Sequence, residues 1–152
     1  AVDRCWEHMR AGGHQGAIGV RDASYVRWRF VERPDKGYRF LALRRRWQSA
    51  PLGIAVLAQP TGSAEHLPWL DWVGPASLLP MAWALAMWQA RRDGAAGLSC
   101  WASAAVAAAL APTRPMPMGP VASVGVPTAS TLAISDVAAL DCWWSGGDTD
   151  FL

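Results

Sequence analysis

Between Leu78 and Trp88 the chain runs through eleven residues that are apolar throughout, broken only by Pro80. A bilayer crossing takes about 20 apolar residues, so this stretch reads as a helix buried within protein. Leu78, Leu79, Met81, Trp83, Leu85, Met87 and Trp88 surround the helix axis, and a helix apolar on nearly every side needs cover on nearly every side. Ser77 is placed to cap it, and Pro80 falls at the third helical position, where first-turn donors lack intrahelical partners and a missing N–H does no harm. Arg91 and Arg92 suit the negative end of the helix dipole, and Gly94 stops the helix.

The segments before it alternate between two periods. Val2, Cys5, Trp6 and Met9 recur at helical spacing until Gly12-Gly13. After a short stretch from Ala17 to Val20, Asp22 is a plausible N-cap for a second helix carrying Tyr25, Trp28 and Arg29, which Pro34 ends. Tyr38 to Trp47 and Leu52 to Ala58 read as strands joined through Ser49-Ala50-Pro51, an antiparallel hairpin. His66 to Val73 is a third strand, rich in β-type residues at Trp69, Trp72 and Val73.

Beyond the long helix, Gly97 to Ala102 is strand-like, and Ser103 can cap a small alanine-rich helix ending at Pro112. The stretch from Pro112 to Pro127 holds five prolines and reads as loop. Leu132 to Ile134 and Leu140 to Trp144 are strand candidates, and Ser145 to Leu152 is a polar tail. The expected architecture is one α/β (α+β) domain over residues 1–152, a mixed central sheet flanked by helices.

Composition narrows the function classes. With 52% hydrophobic and 17% charged residues in 152, the chain is no disordered tail. The three cysteines, Cys5, Cys100 and Cys142, are far apart and lie away from His8, His14 and His66, so structural zinc is not expected and reduced, mostly buried thiols are. No charged start followed by an apolar stretch and a small-residue cleavage site is visible, which points to a cytoplasmic protein. The chain opens directly in a helical pattern, as a piece of a longer protein would.

Residues 1–50 hold 11 of the 14 basic residues and 5 of the 12 acidic ones. Their arginines mostly alternate with apolar residues, so Arg27, Arg29 and the run Arg44-Arg45-Arg46 read as solvated faces rather than a nucleic-acid interface. Tyr25, Trp28 and Phe30 read as core.

The order of elements resembles the GNAT acyltransferase fold, and so do Asp22-Ala23-Ser24-Tyr25-Val26-Arg27-Trp28-Arg29-Phe30, Tyr38-Arg39-Phe40-Leu41-Ala42-Leu43 and Pro51-Leu52-Gly53-Ile54-Ala55-Val56-Leu57. The closing Gly147-Asp148-Thr149-Asp150-Phe151 is similar to the end of bacterial chains that carry two GNAT-like halves. The resemblance implies a GNAT-like mixed sheet and an N-acyltransferase using acetyl-CoA or another acyl-CoA on a small amine. It also implies a homodimer or a GNAT-like partner domain. The alternative is a non-catalytic GNAT-like domain that completes an interface or holds substrate for a partner.

In that family the cofactor pyrophosphate meets a loop of the form Q/R-x-x-G-x-G/A at a helix N-terminus, where orphan N–H donors and the dipole favour an anion. The matching residues are Val73, Gly74, Ala76, Ser77 and Leu78, with one glycine, Pro75 among them and no arginine or glutamine lead. The base such an enzyme needs would be Asp71, on the strand feeding the helix. The family's leaving-group acid, a tyrosine after the fifth strand, has no counterpart, since Tyr25 and Tyr38 lie far upstream. Cys100 reads as an inert thiol, because no histidine is placed to activate it.

Overall fold

A computed structural model describes residues 1–12, 17–33, 37–59, 66–115 and 142–143. Helix α1 spans Val2–Ala11, and strand β1 spans Ala17–Ile18. Helix α2 covers Ala23–Val26 and continues as a π turn over Arg27–Val31. Strands β2 (Tyr38–Leu43), β3 (Gly53–Ala58) and β4 (His66–Val73) follow. A 3₁₀ turn at Ala76–Leu78 opens helix α3 (Leu79–Arg92), and then come β5 (Gly97–Cys100), helix α4 (Ala104–Leu110) and β6 (Cys142–Trp143). The expected loop over 112–127 from residue 116 onward, the strand at Leu132–Ile134 and the polar tail lie outside the described residues.

The fold is a mixed α/β one. Four strands form a sheet in the order β2-β3-β4-β5, antiparallel from β2 to β4, with β5 parallel to β4. Strand β6 pairs in parallel with β1 in a separate two-stranded sheet. Period-two alternation divides the core between the two faces of the large sheet. Ala55 and Leu57 of β3 join Leu79, Ala82, Trp83, Ala86 and Ala90 of α3 with Val106 and Leu110 of α4. Val56, between them, joins Cys5 of α1, Val26 of α2 and Phe30.

One irregularity resets that alternation on β4. Val56 pairs with Asp71 but Leu57 pairs with Trp69, so Leu70 is an extra residue on β4. Residues three apart on a regular strand face opposite ways. The bulge reverses the parity, and Trp69 and Trp72 therefore enter the same core cluster, their ring centroids 6.3 Å apart.

Several local expectations hold. Asp22 caps α2, its carboxylate accepting from the Tyr25 N–H at 2.8 Å, and Ser103 caps α4 by accepting from the Val106 N–H. Gly94 follows α3 with φ at +88°, a backbone conformation that favours glycine.

Others need correction. Ser77 does not cap α3: the 3₁₀ turn intervenes, so Pro80 is the second α-helical residue rather than the third. Among the described residues helix α3 is covered on one face, with Met81, Leu85 and Trp88 exposed. Strand β2 stops at Leu43, four residues before Trp47, because beyond Gly53 there is no β3 residue to pair with. Arg29 is buried rather than solvated, and Trp28 is exposed rather than core. The π turn, closed by the Glu32 N–H to the Arg27 carbonyl at 2.9 Å, fits more residues per turn and brings the adjacent Arg29 and Phe30 inward together.

Candidate functional site

Strands β4 and β5 run side by side only from His66–Gly97 to Trp69–Cys100. Past Trp69, β4 continues through Leu70–Val73 with β3 as its ladder partner among the described residues. Strand β5 is thus paired over its whole length and ends at Cys100, while β4 runs on towards the turn ahead of α3. In open α/β sheets, ligands gather outside the carboxyl ends of the strands.

At that end of the sheet lies a groove of about 640 Å³. Its walls are His8 of α1, Leu43 and Arg44-Arg45 at the end of β2, Leu52 before β3, Pro75, Ser77 and Leu78 ahead of α3, and Met81. Its volume falls within the usual few-hundred to about 1,000 Å³ of small-molecule sites. The walls combine apolar side chains with two guanidinium groups, one imidazole and one hydroxyl. Such a lining suits an elongated ligand with an anionic end.

The donor count at the turn is small. The Leu78 N–H bonds the Pro75 carbonyl at 3.0 Å and the Leu79 N–H bonds that of Ala76, while Pro75 and Pro80 have no N–H. The N–H groups of Ala76 and Ser77 are the donors of this turn that no helical bond uses.

The residues picked out from sequence separate. Ser77 and Leu78 line the groove and Ala76 is half-buried beside them, whereas Val73 is fully buried in the core and Gly74 is buried behind the groove wall. Gly74 is glycine for a packing reason: a Cβ there would fall 2.7 Å from Cζ2 of Trp72. The same indole covers Gly53, where a Cβ would fall 2.2 Å from its Cη2, and its Nε1–H donates to the Pro75 carbonyl at 3.2 Å.

Asp71 does not line the groove. Its carboxylate is wholly buried and accepts from Nε of the equally buried Arg21 at 2.8 Å, and from the Trp72 N–H at 2.8 Å. Arg21 also donates from Nη1 to the Gly19 carbonyl at 2.8 Å. This constellation ties the segment between β1 and α2 to the middle of β4. A carboxylate held this way has no direct path for exchanging a proton with a groove ligand.

Arg44 and Arg45, which sequence reasoning left on a solvated face, reach the groove because β2 and β4 end on the same side of the sheet. Their one signal in the sequence was a basic run closing a strand. Elsewhere, Arg39 of β2 is ion-paired with Asp93 at the end of α3. The hydrogen bond from the Gln89 amide, with Arg39 and Arg92 adding to it, holds the Asp93 carboxyl below the usual carboxylate range.

Among the described residues no group of three His, Cys, Asp or Glu side chains could hold a metal, and no helix is long and apolar enough to cross a membrane. Cys5 and Cys100 are not disulfide-bonded. Burial pushes the Cys100 thiol up to about 11, so the neutral thiol persists well above neutral pH and the nucleophilic thiolate is scarce. Alkylation by iodoacetamide, mapped on the Cys100 peptide, should become appreciable only above about pH 10. A rate at neutral pH matching that of glutathione would contradict an inert role.

The fold and groove thus define a mixed α/β domain with a ligand-sized, cation-edged groove beside the carboxyl ends of β2 and β4. The chain matches no protein-family model, and no curated protein or solved structure is significantly similar to it.

Proposed function

We propose that this chain is a GNAT-like N-acyltransferase domain, moving an acyl group from acetyl-CoA or another acyl-CoA to a small amine in the cytoplasm. The observation that supports the reading is the groove in which the turn ahead of α3 (Pro75, Ser77 and Leu78) faces Arg44 and Arg45 at the end of β2. Arg44, Arg45, the Ser77 hydroxyl and the N–H groups of Ala76 and Ser77 would hold the cofactor's phosphates. Leu43, Leu52, Leu78 and Met81 would line its apolar arm. When bound, the cofactor supplies the thioester carbonyl that the amine attacks. With Asp71 engaged by Arg21, the amine would lose its proton to solvent as the C–N bond forms, the C–S bond would break with the CoA thiolate taking a proton from solvent, and the chain's own contribution is to hold the reactants together and aligned.

A second reading, a non-catalytic domain that holds substrate or completes an interface for a partner, draws on the Asp71–Arg21 ion pair and on Gly74 lying beneath Trp72. Calorimetric titration separates the two. Acetyl-CoA is expected to bind with Kd of roughly a millimolar, about −4 kcal/mol, and Arg44→Ala with Arg45→Ala to weaken it at least about fivefold. Thiol release from acetyl-CoA in the presence of a panel of primary amines supports the enzyme. Binding without release, or no binding at all, removes the enzyme and selects the second reading.

A further inference from the structure

The outer face of α3 carries an apolar seam that begins at the groove and runs on past it through Leu85 and Trp88. Met81, Leu85 and Trp88 recur at intervals of four and three residues, the a/d spacing of a helix that packs against another helix, with half-buried Leu78 of the preceding 3₁₀ turn in line with them. The inner face is occupied separately by Leu79, Ala82, Trp83, Ala86 and Ala90. On the outer face Met81 is 56% exposed, Leu85 51% and Trp88 56%, a continuous apolar stripe on one rigid element. Single exposed apolar residues are ordinary on protein surfaces, but a run of this kind usually marks a contact site.

The charge around the seam identifies its occupant. Arg44 and Arg45 stand beside Leu78 and Met81 at one end. Arg91 and Arg92 stand at the other, the Arg92 guanidinium 4.7 Å from the Trp88 ring centroid. Helix α3 itself contains no acidic residue, and Asp93, just past its end, is already engaged by Gln89 and Arg39. A second copy of this chain would meet this seam at a disadvantage. Antiparallel pairing sets Arg91 and Arg92 of one copy against Arg44 and Arg45 of the other, and parallel pairing sets like upon like. An acidic partner has no such conflict.

We infer that the outer face of α3 is a docking site for an acidic amphipathic helix, with apolar residues at a and d and Asp or Glu flanking them. Its apolar side chains lie along Met81, Leu85 and Trp88, and its carboxylates face the arginines at either end. The thioether of Met81 adapts to the shape of the incoming residue. Leu85 and Trp88 lie outside the groove, so this half of the seam is independent of acyl transfer, whereas Arg44, Arg45, Leu78 and Met81 are shared with the groove, where peptide and cofactor would compete.

The test uses a fluorescein-labelled synthetic peptide of about three heptads with leucine at a and d and glutamate at e and g, kept monomeric by its own charge. Fluorescence anisotropy should show saturable binding that falls with added salt. The same peptide with lysine in place of glutamate should bind at least about tenfold more weakly. Leu85→Glu should weaken the acidic peptide by at least about tenfold, with the circular dichroism spectrum and the acetyl-CoA titration unchanged. Equal binding of the two peptides, no binding, or binding indifferent to Leu85→Glu overturns the inference. So does a concentration-dependent dimer in light scattering that Leu85→Glu dissolves, because the second copy would then be the occupant.

Discussion

Arg21→Met is expected to lower the free energy of unfolding by about 3–5 kcal/mol, read from urea denaturation followed by tryptophan fluorescence. Arg21 and Asp71 are both fully buried, and the Nε–Oδ1 contact of 2.8 Å is backed by the Trp72 N–H on one side and the Gly19 carbonyl on the other. Removing one partner leaves a buried charge without its counter-ion, which costs more than the pair contributed. The double variant Arg21→Met with Asp71→Leu should therefore regain much of the loss, since no isolated charge remains. If the single variant unfolds at the same urea concentration as the unaltered protein, the pair does not pin the β1–α2 segment to β4. If the double variant is as unstable as the single one, the cost comes from lost packing instead of stranded charge.

Trp72→Ala should cost about 3–5 kcal/mol as well, the usual loss for emptying a large aromatic site. Three features hold this indole in place: Gly53 and Gly74, whose missing side chains make room for it, and the Pro75 carbonyl that accepts from its Nε1–H. Gly53→Ala should cost about 1–3 kcal/mol by overpacking, because a ring blocked on the Gly74 side has no room to yield. The two effects are coupled. With Trp72→Ala already present, Gly53→Ala should add almost nothing, and a double-mutant cycle reads that coupling directly. Additive costs would mean that Gly53 is required for another reason, such as its place opposite Leu43 at the end of the β2–β3 ladder.

Much of the fold was legible because it is written in local chemistry. Asp22 and Ser103 are short acceptors placed just ahead of helical stretches, and they cap them as expected. His66 to Val73 was found residue for residue, since Trp69, Trp72 and Val73 favour a pleated, half-buried surface. The reading failed where a long-range contact overrode the local pattern. The apolar circumference of α3 suggested cover on all sides, yet the sheet and α4 reach only one of its faces. Arg29 looked solvated in a basic stretch, and the π turn carried it inward.

The candidate site was legible in part. Ser77 and Leu78 were identified by following the chain into the α3 turn. Arg44 and Arg45 lie more than thirty residues upstream, and only the antiparallel course of β2, β3 and β4 sets them beside that turn. Glycine at 74 resembled a place for a phosphate to approach, but its purpose depends on which way the Trp72 ring lies, and residue order carries no record of that.

By itself the sequence determined the order of the main elements: the caps of α2 and α4, the stops, the periods of β2 to β4 and the long apolar helix, each set by residues within a turn or two of one another. Tertiary structure alone decided the parity of β4, the burial of Asp71 against Arg21 and the assembly of the groove. The bulge at Leu70 swaps every later side chain on β4 to the opposite face, and the ion pair joins residues 50 positions apart. The physical reason is range. Caps and periodicities act through hydrogen bonds and side-chain spacing along one segment, whereas register, burial and charge pairing depend on what another segment brings to the same place.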